Sequence, residues 1–174
     1  MTPQEFGAVL AGWHDFFLAT AGASAALLGL LFVGVSINLG TIAAAERADL
    51  RTRAAQAFSN LVFVVMIALV MLIPDPEPSV IALDLAAVAV LGLFRVARNL
   101  LTIFRARQQL VMVVPTLRRI GWTAVADVIL AFTAWRIAQT GGEAAVIANL
   151  VVVVFVLLLG AADISWEMLT TSAS

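Results

Sequence analysis

Residues 144–162 read AAVIANLVVVVFVLLLGAA and carry no charge. Val151 to Val154 favour a strand by propensity alone. In lipid the preference reverses. A lone segment there must satisfy its own backbone, and about 20 apolar residues of helix cross about 30 Å of hydrocarbon. The stretch therefore reads as a membrane-spanning helix. The whole chain has the same character. Of its 174 residues, 63% are hydrophobic and 12% charged, with a mean hydropathy of +1.06. A soluble domain has about 45–50% apolar and about 25% charged residues. So apolar a chain of this size has too little interior to hide its apolar surface from water. A cytosolic enzyme, a disordered tail and a nucleic-acid module are excluded. The net charge of −1 leaves no basic face for a phosphate backbone.

Working outward, the sequence predicts an all-α integral membrane bundle of five spans in one domain, residues 1–174. The spans fall at about 16–39, 54–73, 80–104, 120–138 and 144–162. Pro74, Pro76 and Pro78 force a turn between the second and third, and Gly141-Gly142 separates the fourth from the fifth. The first residues, Met1 to Asp15, hold no Lys or Arg, so the first apolar run reads as a retained span rather than a secretory leader. The segment Leu110 to Pro115 reads as interfacial.

All ten cationic residues are Arg, which with abundant Ala and Val points to a GC-rich bacterial genome. Nine of them (Arg47, Arg51, Arg53, Arg95, Arg98, Arg105, Arg107, Arg118 and Arg119) lie in or beside the first and third connections. By the positive-inside rule those connections are cytoplasmic and the N-terminus lies outside. The expected location is the bacterial cytoplasmic (inner) membrane. Trp13, Trp122, Trp135 and Trp166 fall at span ends, where aromatic belts form. The basic side is read as a topology determinant, with docking of a lipid headgroup or a partner as the alternative.

Gly22, Ala26, Gly29, Val33, Ser36 and Gly40 recur at steps of four and three along one face of the first span. Small residues allow close backbone approach in lipid. The first expectation is a groove for a neighbouring span of the same chain. The others are a seam between copies and a pore lining, with Ser36 and Asn38 as its polar candidates. In spans three and four, antiparallel depth matches Asp84 with Arg136, and Asp127 with Arg95 and Arg98. Such charges are costly in lipid and usually pair or face a cavity. The expectation is two neutralised pairs that fix helix register; a proton or ion relay and simple snorkelling are the alternatives. Asn60 and Asn149 are expected to hydrogen-bond between helices.

Enzymatic chemistry has little support. Without Cys, thiolate metal sites and Cys nucleophiles are excluded, and the lone His14 excludes a multi-His site. His14-Asp15 lacks an activated nucleophile and reads as an interfacial polar cap, or as an outer mouth if the protein forms a ring. No cofactor, metal site or catalytic residue is expected.

Two resemblances add to this. Trp13-His14-Asp15-Phe16-Phe17, the run Ala21 to Val33, and Ser36-Ile37-Asn38 resemble the opening of a family of small, uncharacterised bacterial membrane proteins. Some members are labelled modulators of a membrane-bound AAA protease. The likeness covers about the first 40 residues and implies no catalytic residues. Arg53 with Ala57-Phe58-Ser59-Asn60 is similar to the Arg-x-x-x-Phe-Ser-Asp motif of a potassium-channel family. Here four residues separate Arg from Phe, Asn60 replaces Asp, and a whole span precedes the motif. The expected function is a non-enzymatic accessory or regulatory subunit acting through helix contacts. The alternative is a homo-oligomeric ion channel with the first span lining the pore. Expected partners are the lipid bilayer and either further copies or another membrane protein, with no nucleic acid.

Overall fold

A computed structural model describes residues 2–37, 48–74, 77–105 and 110–172; within these, side chains are described except at 3, 48–50, 102–120 and 167–172. Six helices are present among the described residues: α1 Pro3–Ala11, α2 His14–Ile37, α3 Ala48–Met71, α4 Pro78–Arg105, α5 Leu110–Thr140 and α6 Ala144–Ser172. Four of them, α2, α3, α4 and α6, contain stretches long and apolar enough to cross a membrane. Such helices mark a membrane-embedded, all-α protein. The expected fourth span, now part of α5, is not among the four; it carries Asp127 and Arg136.

Helices α3, α4, α5 and α6 close a ring in which each packs on the next and α6 returns to α3. Short connections make successive members antiparallel. Helix α2 lies outside the ring, chiefly against α3. The boundaries follow local chemistry. Helix α4 starts at Pro78, whose fixed φ suits a first helical position. Gly141 and Gly142 turn the chain between α5 and α6 with φ of 75° and 88°, a region that side chains disfavour. Helix α5 begins ten residues before the expected span and runs through Pro115. The apolar run from Leu110 thus continues the helix rather than forming a separate interfacial segment.

Helix α1 was not expected. Thr2 caps it: its hydroxyl accepts from the Glu5 N–H at 3.3 Å, and Glu5 Oε2 accepts from the Thr2 N–H at 2.7 Å. Its buried Phe6 and Leu10 join the main apolar core with Phe17, Ile67, Leu85, Leu130 and Ile147. The Phe6 ring sits directly on Gly142, leaving no room there for a Cβ. Helix α1 thus closes the end of the bundle that holds the α5–α6 turn. Toward the other end the interior becomes polar.

Candidate functional site

The polar layer is assembled from all four ring helices. Helix α3 supplies Ser59, Asn60 and Phe63, which share one face. Helix α4 supplies Gly92 and, one turn later, Arg95. Helix α5 supplies Thr123 and Asp127, four residues apart, and α6 supplies Gly160. Asn60 and Thr123 are buried, and Asp127 is 1% exposed.

Arg95 is half-buried and turns toward α3. One guanidinium nitrogen donates to Ser59 Oγ, and the other donates to Asn60 Oδ1 at 3.4 Å. Its Cζ lies 4.4 Å from the centre of the Phe63 ring, within cation–π range. The Asn60 amide also meets α6, where a Cβ on Gly160 would stand 3.3 Å from Nδ2. That nitrogen has no hydrogen-bond partner among the described residues. The expectation for Asn60 is therefore met on the α4 side, through its oxygen.

Asp127 occupies the notch left by the missing side chain of Gly92. A Cβ built there would overlap Oδ1 and stand 2.7 Å from Oδ2. Neither carboxylate oxygen has a hydrogen-bond partner among the described residues. The nearby cation, Arg95, sends its hydrogen bonds to Ser59 and Asn60 instead.

The structure brings together some expected residues and separates others. Arg95 lies near enough to Asp127 for its charge to be felt there, but the two form no ion pair within 4 Å; the guanidinium goes to Ser59 and Asn60. Arg98 is exposed and takes no part, because only Arg95 continues the buried line Ile81, Leu85, Val88, Gly92. Asp84 and Arg136 are both half-buried, but they form no ion pair within 4 Å, which corrects the expected second pair. His14 and Asp15 are exposed and share a 3.4 Å contact at the start of α2.

The small-residue face of α2 does not serve as a groove for a neighbouring span among the described residues. Gly22, Ala26, Gly29, Val33 and Ser36 are exposed, and a Cβ at Gly22 or Gly29 would meet nothing within 4 Å. The line turned inward is offset by one or two residues: Phe17, Ala21, Ser24, Leu28, Leu31, Val35. Both lines have helical spacing, and α2 is apolar all round, so its sequence carries no bias between them. Ser24 Oγ is buried without a hydrogen-bond partner among the described residues, whereas Ser36 Oγ donates to the Phe32 carbonyl at 2.8 Å. Gly40 and Asn38 lie outside the described residues.

Sequence reasoning missed Gly92, Gly160, Ser59 and Phe63 as members of the site. The signal for Gly92 was present, since it continues the inward line of α4 that ends at Arg95. No protein-family model, curated protein or solved structure matches the chain.

Proposed function

We propose that the chain is a five-span accessory or regulatory subunit of a bacterial cytoplasmic membrane, N-terminus outside, that binds another membrane protein through α2. The observation that carries this reading is the uncovered small-residue face of α2. Only 17% of its apolar window is buried, against 39–50% for the other three apolar spans. The ring is complete without α2, and the exposed glycines and alanines permit close approach of a foreign helix.

The fifth span is α5. Its 31 residues extend about 46 Å at 1.5 Å per residue. Trp122, Val125, Val128, Phe132 and Trp135 form an exposed stripe along it, suited to lipid. Five antiparallel crossings place α1 opposite the Arg-rich connections, and the positive-inside rule then places α1 outside. The chain has no Cys, so each introduced one is a unique reporter. With a membrane-impermeant thiol reagent on intact cells, Ala8→Cys is labelled and Ala44→Cys is protected; the reverse overturns the orientation.

The functional test replaces the exposed face. Ala26→Leu and Gly29→Leu leave the bundle folded but abolish a specific crosslink from Ala23→Cys to a different membrane protein. Reproducible currents from the purified protein in planar bilayers, altered by Ser36→Ala or Asp15→Asn, overturn the accessory reading in favour of the channel.

A further inference from the structure

We propose that Asp127, set in the Gly92 notch one helical turn from Arg95, is an intramembrane proton-binding site whose occupancy decides where Arg95 points. An ionised carboxylate is costly in an apolar interior unless it is paired and hydrogen-bonded. Asp127 is 1% exposed, and both its oxygens lack a hydrogen-bond partner among the described residues. The cation nearest in register does not bond to it. Arg95 is held by three uncharged groups, the Ser59 hydroxyl, the Asn60 carbonyl and the Phe63 ring. This is the arrangement of a neutral acid beside a separately solvated cation. An ionised Asp127 has one evident remedy, which is to draw Arg95 one turn across from α3 to α5.

The other described charged groups of α4, α5 and α6 are placed elsewhere. On α4, Arg98 is exposed and Asp84 lies about two turns from the notch. On α6, Asp163 is exposed, and on α5 itself Arg136 is nine residues away. Among the described residues, Arg95 is therefore the counter-charge on the face that meets Asp127. The step is a simple one: a proton from water forms an O–H bond on a carboxylate oxygen, and its release restores the anion. No other bond changes. Each event moves Arg95 between α3 and α5, so proton binding is tied to which ring helices are joined. This inference is independent of any partner at α2.

Infrared spectra of the full chain in lipid vesicles across a pH series read the carbonyl stretch of a protonated carboxyl. The expected result is a band that is absent from Asp127→Asn and fades as pH rises. Arg95→Gln keeps the band to higher pH, because the cation that favours the anion is gone. Asp127→Asn, an uncharged isostere of the proposed state, accumulates at wild-type yield. The proposal is overturned if wild type and Asp127→Asn give the same acid region at every pH at which the protein stays folded. It is equally overturned if Asp127→Asn does not accumulate intact, or if Arg95→Gln leaves the pH dependence unmoved.

Discussion

The Asp127 carboxyl rests against the bare backbone of Gly92, filling the space where a side chain on α4 would stand. The contact sets how closely α4 and α5 approach and aligns the two helices in depth. Eight residues back from Gly92 is Asp84, and eight beyond Asp127 is Trp135, so Asp84 and Arg136 are close in depth yet turned apart.

Gly92→Ala forces the carboxyl out of its notch. Overpacking of this kind costs about 1–3 kcal/mol. Thermal unfolding in detergent is expected to show that loss for Gly92→Ala and almost none for Gly29→Ala, which has open space around it. Asp127→Ala in the Gly92→Ala background recovers part of the loss. Equal behaviour of the two glycine variants sinks the notch.

Arg95 and Arg98 are expected to differ sharply. Arg95→Ala removes the partner of Ser59, Asn60 and Phe63, and breaking such a buried charged network costs about 3–5 kcal/mol. As Arg95 is only half-buried, the lower end applies. Arg98→Ala, at an exposed position, stays within about 0.5 kcal/mol. Yield and unfolding midpoint of the two variants check this.

Much of this was legible in the sequence. The apolar runs, the proline turn and the glycine pair marked the helices, because membrane spans depend on composition more than on fine packing. Matching of Arg95 with Asp127 followed from helix order and rise alone. The choice between Arg95 and Arg98 did not, since they are three residues apart and differ in rotation. Rotation is fixed by contacts, here by Gly92. For α2 the sequence offered two equivalent lines, and docking on α3 selected the one with Phe17, Leu28 and Leu31. Helix α1 was overlooked, although Thr2-Pro3-Gln4-Glu5 holds both a capping box and a proline at the first helical position.

The α5–α6 turn should show coupling with the N-terminal helix. Gly142→Ala is strained by its positive φ, worth roughly 1–2 kcal/mol, and also collides with the Phe6 ring. Phe6→Ala relieves the collision but not the strain. A double-mutant cycle is therefore expected to be non-additive, with Gly142→Ala milder in the Phe6→Ala background. Additive effects would falsify the contact.

Docking of α1 is expected to weaken in acid. The Glu5 carboxylate is held below its ordinary value of 4.5, first by the Thr2 backbone N–H and then by the Thr2 hydroxyl. A lowered value means that the cap is fully effective above 4.5 and fades as pH falls through the lower folded-state value. Amide exchange in residues 3–11 should rise over that acid range in wild type. In Glu5→Ala it should already be raised and flat across the same range.

Closure of the ring by α6 against α3 has a consequence for biosynthesis. Helices α2 to α5 emerge from the ribosome with their next neighbour close at hand, so hairpins can form in the order of translation. Asn60 differs: its amide waits for Gly160, a hundred residues downstream. Until α6 is inserted beside α3, the Asn60 amide lacks the Gly160 backbone that covers it and adds a polar spot to the lipid-facing side of the incomplete bundle.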